Sequence, residues 1–308
     1  MRRVTVRGGP FYRGQQAIRL IHSDKWNLGR RIALAVAVGW LPLLVLTAVL
    51  NFPGLVSLLT DYRVYSRMVI AVPVLLLGQV LMESRFRMLV SQFLGAGLVT
   101  GPEVPRMRNA INALSRLRDS VLPELAILLL VIIHTAISET TLVDSTPWLA
   151  EGTGTTFRLT AAGWYAVVVS VTIFQFLLGL GLWKWLLWTI FAFKLSRLKL
   201  NLVPTHPDEH GGLGFLSLTP IAFGPVVFAA TCVIGATWRH EILMGRANLM
   251  TYKLPTIILV CLIVFVALGP LAFFVPRLAA LRQRGILEYG ILGQLHSMDF
   301  HEKWILFL

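Results

Sequence analysis

The chain has 308 residues, of which 56% are hydrophobic and 14% charged, and its net charge is +13. Such a composition leaves too little polar surface to cover a soluble globule of this size, and two cysteines make no metal framework. The positive charge does not point to nucleic acid: no aromatic-interleaved basic motif accompanies it, and 22 of the 28 lysines and arginines lie in alternate segments between apolar stretches.

The first thirty or so residues are polar and basic. Within them 11–28 mixes Phe11, Tyr12, Ile18, Ile21 and Trp26 with Arg13, Arg19 and Lys25, the pattern of an amphipathic helix resting on a membrane surface or a partner. The segment does not read as a secretory signal: the apolar run after it is too long and no small-residue cleavage site is evident, so it is expected to stay attached. Apolar stretches follow at roughly 32–51, 68–82, 121–138, 160–182, 215–237 and 254–276. A span takes about 20 apolar residues because backbone N–H and C=O groups must pair internally where there is no water. The expected fold class is therefore all-α: a polytopic transmembrane helical bundle of about six spans with amphipathic interfacial helices. It divides into a basic N-terminal segment (1–31), the bundle (32–276) and a C-terminal amphipathic helix (277–308). The basic residues cluster before the first span, in 83–120, in 183–214 and after 276, which puts those segments and both termini on the cytoplasmic side.

Between the second and third spans Met107, Ile111, Leu114, Leu117 and Val121 recur at helical steps, with Arg106, Arg108, Arg116 and Arg118 on other faces. This predicts a helix lying on the membrane or the bundle, and anionic lipid head groups or a cytoplasmic protein are its expected partners. The third span carries Glu124, His134, Thr135 and Ser138 within about 100° of arc at 100° per residue, with Glu124 and His134 about 15 Å apart along the axis. Gln79 and Gln175 in neighbouring spans could face this stripe. A carboxylate and an imidazole on one face suit a proton path or cation site. Alternatively Glu124 favours the helix start and His134 is a neutral imidazole bonded to a neighbouring helix. From Ala161 to Phe193 the chain is apolar except for Gln175 and Lys184, about 50 Å of helix. Lys184 among Trp183, Trp185 and Trp188 reads as an interfacial belt, or, more sharply, as a functional charge. Pro42, Pro73, Pro220, Pro225 and Pro270 lie within spans, where kinks serve gates but are also tolerated in static bundles. Gly179 and Gly181 would support close helix packing in a monomer or a homo-oligomer.

The densest polar chemistry is the loop after the fourth span: Thr205, His206, Pro207, Asp208, Glu209, His210, Gly211, Gly212 and Gly214. His206, Asp208 and His210, joined by His296 and Asp299 from beyond the last span, are competent metal ligands. Geometry disfavours the pairing, since Pro207 pushes His206 toward extended backbone and His301 points about 140° from His296 on a helix. The alternatives are a tight turn in which Asp208 or Thr205 caps the next helix and the glycines allow close approach, or a site for an anion or partner. No dinucleotide, P-loop, nucleophile-elbow or zincin signature occurs, and no cofactor is implied.

The Thr-His-Pro-Asp segment running into Gly-Gly-Leu-Gly-Phe-Leu, with Glu288-Tyr289-Gly290 and Phe300-His301-Glu302-Lys303-Trp304, resembles an uncharacterised family of bacterial inner-membrane proteins. The resemblance covers roughly residues 197–304 and implies a multi-pass inner-membrane location without implying an activity; members are expected to continue past the Lys-Trp pair, which four residues follow here. The functional expectation is a permease or channel for a small ion or solute, against a non-transporting sensor or scaffold binding a cytoplasmic partner. A membrane metalloenzyme is the third reading, and no enzyme chemistry is placed at readable spacing.

Overall fold

The computed structural model describes residues 27–138, 146–151 and 158–306. Most of the basic N-terminal segment, including the amphipathic 11–26, lies outside them. The described chain is a helical bundle whose only strands are the two-residue pair β1 (Ala150–Glu151) and β2 (Arg158–Leu159). Helix α1 spans Leu28–Leu50, α2 Tyr62–Gly95, α3 Glu103–Asp119, α4 Leu122–Ser138, α5 Ala161–Ser196, α6 Gly214–Leu243, α7 Leu249–Ala272 and α8 Val275–Trp304. Five of these (α1, α2, α5, α6 and α7) are long and apolar enough to cross a membrane. Helices α3 and α4 meet at a 45° bend and would make a sixth span if taken as one.

The second span is longer than hydropathy alone suggests: α2 has 34 residues, not the 68–82 expected, because charged residues at both ends are paired inside the helix. Asp61 caps it by accepting from the Arg63 N–H and also binds the Arg63 guanidinium, while Glu83 reaches Arg87 one turn on at 3.5 Å. Both α2 and α5 (36 residues) contain a π-helical turn near their start, at Ser66–Ala71 and Ala166–Val171. At 1.5 Å per residue they run about 50 Å, well past the ~30 Å hydrocarbon thickness.

The core lies between α2, α5 and α6. Phe86 packs on Trp188 and Phe223, with ring centroids 5.2 and 5.8 Å apart, and Phe93 meets Phe215 edge-on at 5.0 Å. Glycines let the backbones close: a Cβ on Gly78 would sit 2.8 Å from Pro225, and one on Gly181 would sit 2.8 Å from Val226. Gly179 is likewise filled by Ile127, so Gly179 and Gly181 both serve packing within the chain. Apolar side chains that look away from the core stay exposed, as with Val49, Leu130, Phe265 and Leu268, which is the surface that lipid would cover. Cys232 and Cys261 are free thiols.

At the end opposite the Thr205–Gly214 loop, the segment around Trp148 caps the bundle. Trp148 is buried and donates its Nε1 to Asp61 at 3.1 Å, Asn51 donates to the Pro147 carbonyl at 2.6 Å, and Thr160 donates to the Trp148 carbonyl at 2.6 Å. A Cβ on Gly163 would lie 2.1 Å from the Leu149 carbonyl oxygen, a backbone atom that cannot step aside. Gly163→Ala is therefore expected to cost about 2–3 kcal/mol, read as a lowered melting temperature in detergent, whereas alanine at the open Gly235 should change little.

Candidate functional site

One group of buried polar side chains lies at the end that carries the Thr205–Gly214 loop. Helix α1 starts there, so Arg31 enters the bundle in its first turn, 3% exposed, and donates Nη2 to Gln79 Oε1 at 3.1 Å. One turn along α2 from Gln79, Glu83 is 2% exposed. On α5, Lys184 lies within the electrostatic reach of Glu83, Arg31, Arg118 and Glu124. It makes no hydrogen bond or contact ion pair among the described residues. Arg118, at the end of α3, is turned to Asp119 through two bonds of 2.9 Å. Lys184 and Arg118 also line a cavity of about 100 Å³ between α2, α3 and α5, whose other walls include Phe86, Val90, Leu114 and Trp188.

The third-span stripe divides between two surroundings. Glu124 belongs with the charged group around Lys184. His134 lies on the exposed side of α4, where its Nδ1 meets Gln175 Nε2 at 3.1 Å across to α5, and Thr135 is buried with no partner for its hydroxyl. The side chain of Ser138 is outside the described residues. Gln175 meets His134 of the stripe, while Gln79 serves Arg31 instead. Arg31 and Glu83 escape a hydropathy reading, which ends the second span at 82 and begins the first at 32. For Glu83 the signal is spacing: it stands four residues after Gln79, at the end of the apolar run of α2, whereas nothing local marks Arg31.

The Thr205–Gly214 loop is organised by Asp208. Its carboxylate accepts from the backbone N–H groups of His210, Gly212 and Gly214 at 2.9, 3.0 and 2.7 Å and lies 2.7 Å from His206 Nδ1. Gly214 begins the 3-10 turn that leads into α6, so the carboxylate satisfies N–H groups of the loop and of that turn's start. Glu209, Gly211 and Gly212 have positive φ, 58°, 65° and 96°; at Gly211 a Cβ would also press on Leu281 of α8 at 2.6 Å. Burial alone would raise the Asp208 carboxyl, but the N–H groups of Gly212, Gly214 and His210 and the His206 ring outweigh it and hold it well below the ordinary carboxylate value. A carboxylate so engaged has little left for a cation. Thr205 and His210 are exposed, and His296 and Asp299 stand on the exposed face of α8. Among the described residues no group of three or more His, Cys, Asp or Glu side chains is arranged to hold a metal.

Taken together, these features define an all-α bundle with five helices, or six with the bent pair, able to cross a membrane, and with a mixed-charge group withdrawn into one end. Comparison with known proteins finds no matching family model, and neither a curated protein nor a solved structure matches at a significant level.

Proposed function

We propose that this chain is a multi-pass protein of a bacterial inner membrane, with both termini cytoplasmic, that acts as a permease for a small ion or solute. The observation that carries the reading is the burial of Arg31, Gln79 and Glu83 among apolar helices, beside a cavity that the half-buried Lys184 lines. Withdrawing ions from water costs several kcal/mol each even after relaxation, and charges kept inside membrane bundles commonly line substrate or ion paths. Lys184 then meets the permeant group at the cavity, and Glu83 and Arg31 hold the local charge balance as it passes. The test is flux into proteoliposomes of the purified chain, followed with ion- and pH-sensitive dyes. Flux above empty vesicles that falls at least 10-fold in Lys184→Met supports the reading; no flux of protons, monovalent cations or anions, or flux unchanged in that variant, overturns it.

A sensor or scaffold is the second reading, favoured by α8. This 30-residue helix leaves Leu287, Ile291, Leu295 and Met298 exposed along one side. Here a cytoplasmic partner covers that row, and Ile291→Asp with Leu295→Asp should abolish partner capture while leaving any flux unchanged.

A further inference from the structure

We propose that a pocket at the end of the bundle opposite the Thr205–Gly214 loop is a binding site for a small oxyanion, a phosphate, sulfate or carboxylate group. It lies between α2, α6 and the segment that caps them, has a volume of about 120 Å³, and is lined by Ser57, Thr60, Thr146, Arg63 and Arg239 among others. The hydroxyls of Ser57 and Thr146 and two guanidiniums on one small concavity form a donor-rich surface, while the Thr60 hydroxyl already donates to the Val56 and Ser57 carbonyls.

Thr146 gives the strongest indication. It is 6% exposed, lines this pocket, and its Oγ1 has no hydrogen-bond partner, a costly state for a buried hydroxyl unless something occupies the space beside it. Charge points the same way. The pocket's carboxylate, Asp61, is fully engaged: it accepts from Arg63 Nε and Nη2 at 3.1 and 2.9 Å, from the Arg63 backbone N–H at 2.9 Å and from Trp148 Nε1 at 3.1 Å. With Asp61 neutralised by Arg63, Arg239 remains, its guanidinium 3.7 Å above the Tyr62 ring centroid. Arg67, one turn further along α2, is close enough to feel Arg63 and Asp61. Glu241, the next acid along α6, is turned to Arg246 at 3.7 Å. The local sum favours an anion, and the volume suits one of about five heavy atoms. The inference does not depend on permeation.

The experiment is thermal unfolding of the full chain in phosphatidylcholine nanodiscs, titrated with sodium phosphate, sulfate or acetate against chloride at constant ionic strength. A saturable rise for at least one oxyanion, weakened at least 10-fold in Thr146→Val and in Arg239→Gln but kept in Arg282→Gln at the other end, is expected. Arg239 is exposed, so its replacement leaves the fold intact and keeps the test valid should Thr146→Val disturb packing. A second arm uses nanodiscs containing phosphatidylglycerol without added anion. A rise there alone, lost in Arg239→Gln, identifies the oxyanion as a lipid phosphate; a rise with free salts identifies a soluble one. No saturable rise in either arm, or one equal in all variants, overturns the proposal.

Discussion

Glu83→Leu should lower the stability of the bundle by about 3–5 kcal/mol, the cost of leaving buried positive charge without its counter-charge. Glu83 is 2% exposed and sits one turn from Gln79, which Arg31 already engages, and its field also reaches Lys184. Removing the carboxylate leaves Arg31 and Lys184, each within reach of the other's charge, without this negative charge in the balance. The converse follows from the same electrostatics: Lys184→Met in the Glu83→Leu background should recover part of the loss, since it removes one of the uncompensated charges. Thermal unfolding in detergent of the two single variants and the double variant checks this as a cycle. Simple additivity within about 0.5 kcal/mol would mean that Glu83 and Lys184 do not interact.

Asp208→Ala is expected to cost about 3 kcal/mol, because one carboxylate satisfies three backbone N–H groups and no other side chain among the described residues is placed to replace it. The pH dependence carries a definite sign. The folded-state pKa of Asp208 lies below its unfolded value near 4, so its stabilisation is fully present at neutral pH and is lost as pH falls below about 4 toward the folded value. The apparent melting temperature of the unmodified chain should therefore fall more between pH 5 and pH 3 than that of Asp208→Asn. Equal slopes would show that the carboxylate's charge is not what holds the loop.

Much of the architecture was legible because span hydropathy is a property of a local window. The all-α class and the apolar helices follow from it. So did the tight turn at Asp208 and its glycines, since backbone conformation near Pro207 and Gly211 is also decided locally. The charged group was less legible. Whether Lys184 snorkels or turns inward depends on α2, α3 and α4 packing beside it, information that lies a hundred residues away in the chain. Asp61, Arg63 and Thr146 come together only because the Trp148 segment folds back over the bundle end, and no periodicity announces that.

The π-helical turns in α2 and α5 carry a further consequence. Each begins directly after a tyrosine, Tyr65 or Tyr165, and each accommodates one residue more than an α-helical turn would. That surplus residue sets the azimuth of everything downstream: without it, Gln79 and Glu83 on one helix and Lys184 on the other would be rotated by about 100°. A one-residue deletion within Ser66–Ala71 could thus be absorbed as ordinary α-helix, with its ladder of backbone bonds intact, and still turn Glu83 out of the bundle. At these two places the chain length encodes the direction in which the charges point.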